Sequence, residues 1–185
     1  VQDPALSFIL REKRLELDKQ LNMREERGTN SFKYMSLILY GIPDEKLVKS
    51  AKKILKELDA VKPSKSTANK IDSKGFAKLA QKEVNLLNKN FKGLDLGVEI
   101  RKDVSSLMVS RNKLLIGENV QISKKRAEAL LQHEVGTHML TFCNGQQQVL
   151  RQLATGLAGY DDLQEGLAVL SEYFVGGLTA TRLRT

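Results

Sequence analysis

Apolar positions in the first ninety residues recur at helical intervals. Phe8, Leu15, Leu17 and Leu21 lie along a charged stretch that Asp3 and Pro4 open as N-cap and first helical residue, and that should end near Gly28. Thr29, Asn30 and Ser31 offer caps for a short helix through Met35, Leu37 and Leu39, stopping at Gly41. Pro43 and Asp44 open a third, with Leu47, Ala51, Ile54, Leu55 and Leu58 on one stripe. From Lys62 to Gly75 the chain holds Pro, Ser, Thr, Asn and Lys with no apolar period, and reads as a mobile loop. A further helix is expected from Phe76 to about Asn90.

The period then shortens to two. Val98 and Ile100 alternate with polar neighbours, as do Leu107 and Val109, and Leu114 to Ile116 follow a turn at Arg111-Asn112. Two or three short antiparallel strands are expected here. Ser123 caps a helix through Leu130, Leu131, Val135, Met139 and Phe142, ending at Asn144-Gly145. Another starts near Asp161, with Gln164 as capping partner, and runs to about Gly176.

Composition narrows the class. A chain of 185 residues suggests one domain, or one plus an appendage. Its 41% apolar and 28% charged residues suit a globular protein, and no apolar run approaches the roughly 20 residues of a membrane span. The start at Val1, Gln2, Asp3 and Pro4 lacks a signal-peptide pattern, and with no initial Met the chain reads as a piece of a longer protein. The single cysteine, Cys143, cannot form an intrachain disulfide, which points to a reducing, cytoplasmic location. The net charge of +8 gathers in lysines between Lys46 and Lys92. They read as a solvated helical face, or as a surface for an acidic protein partner. Aromatics are not interleaved with them, which disfavours nucleic acid as a partner.

The two histidines of the chain, His133 and His138, share the segment His133-Glu134-Val135-Gly136-Thr137-His138. A helix bearing His, Glu and a second His presents two zinc ligands and a base together. Here the histidines are five apart, about 140° around a regular helix, where one ion cannot meet both. A metal site therefore requires a π-type widening or a distortion at Val135 to Thr137, which Gly136 would ease. The third ligand has two candidates downstream. Glu165 and Glu172 are seven apart and share a helix face. The small Gly166 and Ala168 permit close approach of another helix, which favours Glu165 as ligand and leaves Glu172 to orient a histidine.

The pairing of that histidine segment with Gln164-Glu165-Gly166-Leu167-Ala168 resembles the QEGLA-motif proteins, whose bacterial members are labelled flavohaemoglobin-expression modulators. The same family is similar to the microtubule-associated tyrosine carboxypeptidases. The resemblance is clearest from about Leu107 to Gly177 and looser through Arg27 to Gly41. It implies a zinc peptidase with His133, His138 and Glu165 as ligands, Glu134 as catalytic glutamate, and carboxypeptidase action on a peptide or protein C-terminus.

Such an enzyme needs a cation for the terminal carboxylate, and Arg101, Arg111 and Arg151 are candidates. The strand Leu114 to Ile116 offers an edge to an extended peptide, and Tyr160 or Tyr173 a donor to the developing oxyanion. Cys143 reads as a buried apolar residue. The expected fold is α+β, mainly helical with a small antiparallel sheet in a zincin-like arrangement. Residues 1–92 form a helical region and 93–185 the zinc-site region of one incomplete catalytic domain. The rival reading is a regulatory or binding protein with a structural or vestigial zinc and a basic helical surface.

Overall fold

A computed structural model of the chain describes residues 2–59 and 69–184. The N-terminal helices form where capping and period place them. Helix α1 (Pro4–Glu25) starts at Asp3, whose carboxylate accepts the Leu6 N–H at 2.9 Å. Helix α2 (Ser31–Tyr40) stops at Gly41, which takes a positive φ of 77°. Helix α3 (Glu45–Asp59) opens at Asp44, which accepts the Leu47 N–H at 2.7 Å.

Contacts divide the chain into two compact units. One holds α1 to α3 together with the turn Leu157–Gly159, whose Gly159 N–H donates to Glu16 at 2.7 Å. Neither α1 nor α2 has a buried residue. The other unit begins before residue 69, so the division falls ahead of the helix at 73–90 rather than near residue 92. It contains every buried apolar side chain among the described residues.

The expected loop from Lys62 to Gly75 lies partly outside the described residues. Its end is ordered: Lys70–Asp72 is strand β1, and α4 (Ser73–Asn90) follows, capped by Asp72 on the Gly75 N–H at 2.7 Å. Strand β1 pairs antiparallel with β5 (Gln121–Ser123), Ile71 opposite Ile122. One inward residue in a polar run leaves no period to read.

The second sheet comprises β2 (Gly97–Arg101), β3 (Leu107–Ser110) and β4 (Lys113–Gly117) in the order β2-β4-β3. Strands β3 and β4 form the expected antiparallel hairpin, turning at Arg111, which has φ 54°. Strand β2 joins β4 in parallel, Val98 opposite Leu114, so the sheet is mixed rather than antiparallel. Alternation reports which face of a strand is buried and carries no information on direction. The consequence matters for substrate binding: β4 is central and offers no free edge, whereas β3 does.

Helix α4 lays Phe76, Ala80 and Val84, spaced four apart, against Leu114 and Ile116 of β4 and Val135, Met139 and Cys143 of the following helix. Each large apolar side chain buried here stabilises by about 1.5–3 kcal/mol. Cys143 lies in this core, as its sequence position suggested. That long helix has three parts: α5 (Lys124–His133), a π-helical stretch Glu134–Met139, and α6 (Leu140–Gln146). A short α7 (Gln152–Thr155), α8 (Tyr160–Phe174) and α9 (Ala180–Leu183) complete an α+β fold that is mainly helical. Among the described residues no helix is long and apolar enough to cross a membrane.

Candidate metal centre

The five-residue histidine spacing predicts a local widening, and the helix widens there. The Leu140 N–H reaches the Val135 carbonyl five residues back, the π-type bond. Thr137 supports the widened turn: its hydroxyl lies 3.0 Å from the Gln132 carbonyl and 3.2 Å from the Ser171 hydroxyl on α8. Gly136 contributes less than its position suggests. It sits on the exposed side in helical conformation, and a Cβ added there meets only the mobile end of the Gln132 side chain. Thr137 was not legible as a determinant, because a threonine in an apolar helix has many bland roles.

The widening turns both imidazoles to one side, with ring centroids 4.9 Å apart and planes at 69°. Glu165, on the first turns of α8, meets them: His133 Nε2 lies 3.8 Å and His138 Nε2 3.5 Å from its carboxylate oxygens. One donor atom from each of the three residues falls within 4.8 Å of the others. Ligands about 2.0–2.2 Å from one ion lie at most about 4.4 Å apart. The set would close on an ion with a small movement of Glu165, whose side chain is 63% exposed. Burial lowers the pKa of His138, against the opposing charge of Glu165, leaving a neutral imidazole with a lone pair to give. Two imidazoles and a carboxylate are a donor set that suits zinc.

The helix approach that brings Glu165 in is not due to Gly166, whose added Cβ would meet open space. Ala168 is fully buried on the inner face of α8. The close approach lies further on, at Gly177, where a Cβ would collide with that of Ala129 and stand 2.9 Å from the Glu172 carbonyl oxygen.

Glu172 is fully buried and sits behind the site. Its Oε1 lies 2.8 Å from His133 Nδ1, and Arg126 and Arg182 hold the same carboxylate. Burial works against its charge, but hydrogen bonds from Arg182 and Arg126, with their charges, hold its pKa down to about 2. Glu134 has the opposite fate. Burial, then the neighbouring Glu165 and Glu172, push it up to about 7. A carboxylate poised there suits proton transfer near neutral pH.

His133, His138, Glu134 and Glu165 share a cleft of about 560 Å³ with β3 residues Leu107 to Val109, Arg111, Phe142, Leu153 and Tyr160. Of the three arginines considered for a terminal carboxylate, Arg111 lines the cleft. Arg101 is exposed and engages Asp103 through two hydrogen bonds, at 2.7 and 2.8 Å. Arg151 is exposed and outside the cleft lining. Tyr160 is in the lining, with burial raising its pKa so that it keeps its proton. Tyr173 lies outside the lining, 61% exposed against Phe174.

The family model for microtubule-associated tyrosine carboxypeptidases matches residues 1–185, the whole chain. The chain belongs to that family. Membership implies a peptidase-type enzyme of carboxypeptidase kind. Neither a curated protein nor a solved structure matches it.

Proposed function

We propose that this chain is a zinc-dependent carboxypeptidase that removes a C-terminal residue from a peptide or protein. The observation that carries the reading is the convergence of His133, His138 and Glu165 across a π-helical turn, with buried Glu134 in the same cleft. A zinc ion held by those three residues would polarise the scissile carbonyl and acidify a water. Glu134 takes the proton of the attacking water and passes it to the leaving amine. Its environment, which holds the proton affinity near neutrality, supports both halves of that transfer. Tyr160, still protonated, donates to the developing oxyanion.

Substrate binding follows from the edge of the sheet. Strand β3 borders the cleft, and an extended peptide adds to it as a further strand, lying along the π-helical turn in a zincin-like arrangement. Arg111, at the end of β3, receives the terminal carboxylate. Leu107, Val109, Phe142 and Leu153 provide an apolar wall suited to a large terminal side chain, in keeping with the tyrosine named in the family description.

The test compares wild type with Glu134→Gln on peptides with free and amidated C-termini. Wild type is expected to bind one zinc per chain and cleave only the free terminus. Glu134→Gln should retain zinc and lose about 10²–10⁴ in kcat. Equal cleavage by both proteins would exclude Glu134 as the base. Equal cleavage of both peptides would exclude the exopeptidase reading. A protein that holds zinc and cleaves neither peptide would leave the metal with a structural role and favour the binding-protein reading.

A further inference from the structure

We infer that Glu172, gripped by Arg126 and Arg182, is a positioning residue that locks His133 in the tautomer with its proton on Nδ1 and its lone pair on Nε2, facing the metal centre. The inference rests on the zinc reading for its purpose, though not for its geometry.

A carboxylate offers about four acceptor positions. At Glu172 all four are used. Oε1 faces His133 Nδ1 at 2.8 Å and Arg182 Nη2 at 3.3 Å. Oε2 accepts from Arg126 Nη1 at 2.7 Å and Arg182 Nε at 3.2 Å. The guanidinium groups can only donate. Between Glu172 and His133 one proton must lie, and the arginines leave it no room on the carboxylate. It therefore sits on Nδ1, and a neutral ring then carries its lone pair on Nε2. That is the nitrogen nearest Glu165.

The arginines come from separate places in the chain, and each is anchored. Arg126 is seven residues before His133, on the same face of α5. Its Nη1 also donates to the Gly177 carbonyl at 2.9 Å. Gly177 packs against Ala129 and donates its own N–H to the Glu172 carbonyl at 2.7 Å. This turn reverses the chain after α8, and α9, capped by Thr179 on the Arg182 N–H, presents Arg182 to the carboxylate. The segment 176–184 is thus part of the histidine's support.

The clamp makes a reversed outcome available to a conservative change. In Glu172→Gln the amide oxygen is drawn to the two arginines, so the amide nitrogen faces His133 and donates to Nδ1. The ring then shifts its proton to Nε2 and can no longer offer that atom to a metal.

The experiment is long-range ¹H–¹⁵N correlation of histidine-labelled, metal-free protein, above the pH at which imidazole takes a second proton, alongside zinc affinity by chelator competition. Wild-type His133 is expected as the Nδ1–H tautomer. Glu172→Gln is expected to invert it and to weaken zinc binding about tenfold to a hundredfold. Arg182→Met, at a partly exposed position that leaves Arg126 on the carboxylate, is expected to weaken zinc several-fold, with Arg182→Lys restoring part of the loss. Arg182→Met decides the matter should the glutamine variant fail to fold. An Nε2–H tautomer in wild type, an uninverted ring in folded Glu172→Gln, or unchanged affinity in Arg182→Met would each overturn the inference. Absence of zinc binding by wild type would sink the metal reading alone, because the tautomer is read without metal.

Discussion

At Thr137 one hydroxyl braces the start of the widened turn. In an α-helix the Gln132 carbonyl would be satisfied four residues on. At the start of the widened turn the Thr137 hydroxyl also donates to it, at 3.0 Å, while touching Ser171 on the helix that carries Glu165. Thr137→Val keeps the volume and removes that partner. The expected cost is about 1–2 kcal/mol in denaturant unfolding, together with weaker zinc binding as the histidines drift apart. Gly136→Ala is the matched control. The sequence suggests that a glycine is needed to let the helix widen, but its position is helical and open except for the end of Gln132. Alanine there should leave zinc affinity unchanged and raise stability by about 0.5–1 kcal/mol. Lost zinc binding in the alanine variant, with none lost in the valine variant, would reverse the assignment of what holds the turn.

Between elements, the question is which backbone groups remain to bind a peptide. The Gly117 N–H donates to the Ser106 carbonyl at 2.8 Å, which fixes the alternation of the β3–β4 ladder. Two residues on, Met108 faces β4, whereas Leu107 and Val109 turn their N–H and C=O groups to the free edge. Val109→Pro therefore removes a donor from the edge proposed to take the peptide and none from the ladder, and proline is tolerated on such an edge. A folded protein with zinc affinity intact and KM raised about tenfold is expected, with kcat changed less. A KM equal to wild type would place the peptide elsewhere.

The same elements show what the residues announce in advance. The histidine spacing points to the π-type turn because on a regular helix the two rings would stand about 140° apart, whereas here they converge. The helix of Glu165 follows from its period, although it starts at Tyr160, so that Asp161 lies in the first turn rather than at the cap. The parallel pairing of β2, the three-residue β1 and the central place of β4 depend on partners distant in the chain, which local periodicity does not encode. Arg182 is hidden for the same reason: only the reversal at Gly177 brings it to Glu172.

Across the molecule, burial and chemistry coincide. Among the described residues the buried apolar side chains begin at Phe76, and the three metal-ligand candidates, Glu134, Glu172 and both arginines lie beyond it. Helix α4 belongs to this unit because Phe76, Ala80 and Val84 close the core over β4 and the π-helical turn. A chain beginning at Asn69 keeps α4, both sheets and every described residue of the cleft. Such a chain is expected to unfold cooperatively and to bind zinc with the affinity of the full protein, because α1 and α2 contribute no buried residue. A chain beginning at Gly93 instead opens a cavity where three fully buried side chains stood, at about 2–5 kcal/mol for each large residue lost, more than a small domain can spare. It should not fold. Calorimetry with and without zinc separates the outcomes: a zinc-dependent rise in melting temperature for the first truncation and no transition for the second. If the first also fails to bind zinc, the N-terminal helices are required for the metal centre itself.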